Sequence, residues 1–202
     1  RPGWCIFVLC LAIGCSKIET PTEIQRDEGQ EASPQGGDGQ ISSSGRWVVR
    51  ASLLVPRQEM SADLLNGKIY VPGGLSLIPG GAVNLAIVDV YDPVQDMWLP
   101  VASLPEQLDH LGVAAAGGKL YAIGGFNPSR QSIRDVFEYD PVRNRWVSKA
   151  QMPTSRGGHV AVAFGGKVYA IGGQNGGRED TGANEVYNPA TDAWQFLTPM
   201  PT

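Results

Sequence analysis

Cysteine is nearly missing from this chain: three occur, at Cys5, Cys10 and Cys15, and none follows in the rest of the 202 residues. Beyond Cys15 this excludes a disulfide framework, a thiolate nucleophile and a cysteine metal site. An excess of positive charge is also missing, with 16 basic against 20 acidic residues and a net charge of -4. Without a broad basic field, nucleic acid is not expected as a partner. No apolar run is long enough to span a bilayer, which takes about 20 residues; the run from Trp4 to Ile13 stops at ten. The two histidines, His110 and His159, are too few to suggest convergent metal ligands. Neither a metal nor a cofactor is expected. No Ser-His-Asp set or phosphate-cradling glycine loop can be placed either.

What is present is a repeat. Trp47, Trp98, Trp146 and Trp194 are separated by 51, 48 and 48 residues, and Tyr91, Tyr139 and Tyr187 each precede a tryptophan by seven. A period near fifty marks an array of blades. The clearest strand reads Lys68-Ile69-Tyr70-Val71-Pro72-Gly73-Gly74, then Lys119-Leu120-Tyr121-Ala122-Ile123-Gly124-Gly125, then Lys167-Val168-Tyr169-Ala170-Ile171-Gly172-Gly173. The pairs Asn66-Gly67, Gly117-Gly118 and Gly165-Gly166 stand just before it and suit tight hairpins. A third strand ends in Asp92-Pro93, Asp140-Pro141 or Asn188-Pro189, and a fourth opens with the tryptophan. Proline stops each ladder there. Pro72 lacks an amide donor, so a bulged or unpaired strand end is expected at that position.

The Tyr-x-x-Gly-Gly strand, the Tyr-Asp-Pro corner and the spaced tryptophan together resemble the Kelch repeat. The resemblance covers residues 46 to 202. It implies an all-β, Kelch-type β-propeller with blades at about 57–100, 108–150 and 156–198, and an orphan strand Arg46-Trp47-Val48-Val49-Arg50 ahead of them. Three blades and a lone strand make an incomplete ring, since propellers have about four to eight blades. The chain opens on Arg1 and stops at Met200-Pro201-Thr202, so it is expected to be a fragment. Unclosed blade faces would favour subunit assembly.

The front end carries separate signals. The apolar run is suited to the core of a signal peptide, and Leu11-Ala12-Ile13-Gly14-Cys15 resembles a bacterial lipobox, with Ala12 where leucine is commoner. That likeness implies a signal segment 1–15 that ends at Cys15, with the cut before this cysteine, which would then carry the lipid. Residues 16–45 hold few apolar side chains and are expected to form a disordered tether with a reach of roughly 30 Å. The chain is expected to be exported: held at the cell envelope with the membrane reached through the lipid alone, or secreted where the apolar run is an ordinary secretory signal.

Strand order puts the loops entering the first strand and those leaving the second on one rim, where binding residues are expected. The candidates are Arg57, His110, Asn127, Arg130, Arg156, His159, Asn175 and Arg178. Forked arginines there could grip carboxylates or planar polar ligands, or pair locally with Asp109, Glu179 or Asp180. The histidines hold nearly equivalent repeat positions. The expected function is a non-catalytic binding module for a protein or glycan. The alternative, drawn from Kelch enzymes, is a sialic-acid-mutarotase-like activity with Arg57 and Arg156 in a central pocket. A galactose-oxidase-like site fits less well, because its cysteine-crosslinked tyrosine has no cysteine to draw on here.

Overall fold

The computed structural model of the protein describes residues 47–176 and 179–201. The signal, lipobox and tether readings, with Cys15, lie outside the described residues. The first blade runs β1 (Asp63–Leu65), β2 (Lys68–Pro72), the hairpin β3 (Leu75–Ile78) and β4 (Gly81–Asn84), then β5 (Val88–Asp92) and β6 (Met97–Val101). The second is β7 (Gly112–Ala116), β8 (Lys119–Ile123), β9 (Val136–Asp140) and β10 (Arg145–Ser148). The third is β11 (Val160–Phe164), β12 (Lys167–Ile171), β13 (Asn184–Asn188) and β14 (Ala193–Phe196). Each blade is a four-stranded antiparallel meander, with β3 and β4 paired apart from the first sheet. The three blades form an incomplete Kelch-type propeller ring.

The repeated aromatics hold repeated geometry. Tyr91, Tyr139 and Tyr187 lie opposite Trp98, Trp146 and Trp194 in their ladders. Their ring centroids are 5.0, 5.0 and 5.2 Å apart at interplanar angles of 39°, 41° and 38°. One acceptor in each turn between third and fourth strands, on Asp96, Asn144 or Asp192, takes the tyrosine hydroxyl at 2.6 to 2.8 Å. The same oxygen accepts the backbone N–H of Ala51, Ala102 or Ala150. The tryptophan indole N–H donates to that alanine's carbonyl at 2.8 to 2.9 Å. Each blade is thus clamped to the segment before it by bonds whose donors and acceptors are all matched. Bonding to the tyrosine holds the Asp96 carboxyl below its ordinary range.

The double glycine has a steric cause. A Cβ on Gly73 would stand 2.5 Å from the Leu108 carbonyl oxygen, and one on Gly124 would stand 2.5 Å from that of Arg156. The second glycine of each pair, Gly74 or Gly125, then donates its N–H to that same carbonyl, at 2.8 and 2.9 Å. Backbone of one blade therefore touches backbone of the next, which a side chain would prevent.

Two expectations need refinement. Pro72 does pair with Val88 of β5, so that side of the ladder is intact. Its ring faces the other side, where the equivalents Ile123 and Ile171 pair with Gly112 and Val160. The missing donor leaves β1 with 3 residues against 5 in β7 and β11. Residues 47–50, expected as an orphan strand, are not in a strand, and Trp47 is 99% exposed. No described strand lies alongside to complete their hydrogen bonds.

Candidate functional site

The loops meet on one rim as strand order implies. Gln58 bridges to Leu75, Asp109 to Phe126 and Gly157 to Gln174, joining each blade's entry loop to its own second-to-third-strand connection. Backbone bonds also link the blades there, from His110 N–H to the Glu59 carbonyl at 2.9 Å and from Gly158 N–H to the His110 carbonyl at 2.7 Å. Glu59, His110 and Gly158 all have positive φ, at 54°, 51° and 65°. They are the true repeat equivalents, so His110 and His159 are offset by one residue and face different surroundings.

His110 stays on the rim, between two carboxylates. Its Nδ1 lies 2.7 Å from Asp109 and its Nε2 3.0 Å from Glu59, which belongs to the first blade. Asp109 is fully buried and also receives Arg130 at 3.1 Å and the Asn84 amide at 2.9 Å. Arg130 lies over the Phe126 ring, 5.2 Å from its centroid, a cation–π placement. Gly157 allows this packing, because a Cβ there would meet Phe126 at 2.7 Å. The group is a polar clasp between neighbouring blades, built around one buried carboxylate whose lone pairs are occupied.

Beside the clasp opens a cleft of about 450 Å³ lined by His110, Phe126, Arg130, Gly157, Gly158, Gly173, Gln174, Asp180, Thr181 and Met200. It offers donors, acceptors and an aromatic wall from two blades. A smaller cavity of about 170 Å³ lies between Glu59, Met60, Ser61, His110, Gly158 and His159. Among the described residues no group of three or more His, Cys, Asp or Glu side chains could hold a metal.

The other expected rim residues divide. Asn127 accepts the N–H groups of Ser129 and Gln131, and Asn175 accepts that of Glu179, so both shape their loops beside the cleft. Arg178 lies outside the described residues. Arg57 and Arg156 are not at the surface; both side chains are fully buried. Arg57 Nη2 sits 2.8 Å from Asp89 Oδ2 without the alignment of a hydrogen bond, and donates to the Val71 carbonyl at 3.1 Å. Arg156 Nη2 bonds Glu185 at 2.8 Å and the Ala170 carbonyl at 3.1 Å. Burial pushes both guanidiniums below their ordinary value, and the paired carboxylate opposes it. These arginines turn beneath the rim because an acid two residues before the third-strand tyrosine awaits them. His159 is 5% exposed, and burial together with Arg156 pushes its pKa down to about 3. It is therefore neutral, packed where a Cβ on Gly112 would lie 2.5 Å from its Nε2.

Sequence reasoning missed Glu59, Asn84 and Phe126. Their chemistry is ordinary, and a neighbouring blade gives it meaning.

An arc of four-stranded antiparallel blades with a loop-built cleft on one rim is a propeller scaffold. The Kelch motif model matches residues 109–153 and 155–201, so the chain carries Kelch repeats. It is 34% identical over 82 residues to Kelch-like ECH-associated protein 1B of Danio rerio, covering 41% of this chain and 14% of that protein. To Kelch-like protein 24 of Rattus norvegicus it is 33% identical over 79 residues, covering 39% of this chain and 12% of the relative. Among solved structures, that of YjhT superposes with a TM-score of 0.70 at 19% identity, over 77% of this chain and 56% of the other. The chain thus matches a small part of the two relatives and about half of the solved structure.

Proposed function

We propose that this chain is a non-catalytic binding module that takes a protein partner at the rim cleft between its second and third blades. The Kelch propeller is in general a scaffold for protein interaction, and loops held on rigid strands are where such contacts are made. The observation that carries the reading is the clasp: Asp109 holds Arg130 against Phe126 and orients His110, so the cleft is pre-shaped by buried bonds. Pre-organised donors lose little entropy on binding. Arg130 is 59% exposed at its side chain despite that anchorage and presents its free edge outward.

The test is a partner pull-down with matched variants. Arg130→Glu and Gln174→Ala should each lose the partner, while Arg143→Glu, an exposed change in a turn between third and fourth strands, should keep it. Partners retained by both rim variants, or lost in all three, would contradict the reading. The location proposed is the cell envelope, through a lipid on Cys15. Labelled fatty acid should enter the wild type and be absent from Cys15→Ser.

A further inference from the structure

His110 is bound on both sides of its ring, and the two sides make different demands on its protons. Asp109, fully buried, is surrounded by donors: Arg130 Nη1 at 3.1 Å and the Asn84 amide at 2.9 Å reach its Oδ2, and His110 Nδ1 lies 2.7 Å from its Oδ1. A carboxylate so placed can only accept, so Nδ1 carries a hydrogen and donates it. On the far side Nε2 faces a second carboxylate, Glu59 Oε2, at 3.0 Å. A neutral imidazole has a single N–H, here given to Asp109, and would set a lone pair against a lone pair across that distance. The contact holds only with a further proton between Nε2 and Glu59.

We propose that this proton is a latch between the first and second blades: with it His110 bridges Asp109 to Glu59, and without it the bridge to Glu59 opens while the bond to Asp109 stays. Rising pH opens the latch and falling pH closes it. The two acids behave differently because of their surroundings. Asp109 is out of contact with water and keeps Arg130 and Asn84, whereas the Glu59 side chain is 44% exposed and can turn to solvent. The backbone bond from His110 N–H to the Glu59 carbonyl, at 2.9 Å, remains, so the blades stay joined and only the side chains part. Around the ring, Arg130 sits beyond Asp109, Asp180 lies across the rim cleft, and the neutral His159 borders the smaller cavity. The edge-on Phe126 ring is 5.4 Å away. With the latch closed, Glu59 and Asp109 are balanced by Arg130 and His110; when the proton leaves for solvent, the group is one unit more negative. His110 lines both the rim cleft and the smaller cavity, so both feel the change.

The test is 15N NMR of the full chain labelled at histidine, titrated from about pH 5 to about pH 9. The chain has only 2 histidines, and the signals that vanish in His159→Leu assign the other ring. At the acid end both nitrogens of His110 should read as protonated, and above the midpoint the neutral ring should keep its hydrogen on Nδ1, held by Asp109. Glu59→Gln places an amide of the same shape at an exposed position and should move the midpoint down by about half a pH unit or more. Asp180→Asn removes a charge across the cleft and should move it by less. A neutral ring with its hydrogen on Nε2, a midpoint unmoved by Glu59→Gln, or an equal shift from Asp180→Asn would overturn the proposal.

Discussion

In the third blade Arg156 and Glu185 lie fully buried with 2.8 Å between them. The same two positions of the second blade hold Leu108 and Phe137, 0% and 3% exposed in the apolar core. The first blade repeats the third, with Arg57 and Asp89. One slot in one scaffold is therefore filled by an ion pair twice and by hydrocarbon once. The difference teaches that this slot needs volume and mutual neutrality rather than charge. A buried pair gains little over a well-packed apolar pair, because both ions must first be taken out of water. Nor is the ion pair fully satisfied, since Nε and Nη1 of both arginines have no protein partner.

The comparison can be broken most forcefully by splitting the pair. Arg156→Leu puts the second-blade residue opposite an unneutralised Glu185 and should cost about 3–5 kcal/mol, measured by urea unfolding. Gly124→Ala should follow at about 3 kcal/mol, because its φ is +56° and the new methyl would collide with the Arg156 backbone. The same loss from Gly117→Ala, a turn position with open space around it, would show that conformation alone, rather than blade contact, sets the cost.

A finer distinction concerns His159, whose second-blade counterpart is Leu111. The histidine's pKa is pushed from its ordinary 6.5 to about 3. The unfolded chain thus takes up a proton below 6.5 while the folded chain does not. Stability that is present above pH 6.5 is lost as the pH falls from 6.5 towards 3, by about 2 kcal/mol at pH 5. His159→Leu should remove that share of the pH dependence, and an unchanged slope would contradict the assignment. The smallest effect is expected from Arg130→Ala, about 1 kcal/mol. Its side chain is largely exposed but neutralises the buried Asp109, so it is more than a solvated loop charge.

Much of the architecture was legible because its signals are local. A tyrosine, a turn Asp or Asn and a tryptophan at fixed spacing specify one corner of one blade, and the structure repeats that corner three times with nearly the same angles. Strand order likewise placed the loops on a common rim. What lay hidden depends on the neighbouring blade. Arg57 and Arg156 looked like rim residues because a lone sequence does not show that a buried acid in the third strand of the same blade draws them inward. The one-residue offset of the histidines is visible in the sequence, since they stand 11 and 10 residues before the second-strand tyrosine; the positive φ shared by Glu59, His110 and Gly158 shows what it means. The hairpin β3–β4 sat within a segment read as loop, as its apolar residues have no regular alternation to mark strands.

The most direct test is to give the third blade the second blade's pair. Arg156→Leu, Glu185→Phe and the double variant should be compared by urea unfolding. If the slots are equivalent, each single change is strongly destabilising and the double variant returns to within about 1 kcal/mol of the wild type. Losses that simply add would contradict the account, because they would mean that the two blades do not share one slot.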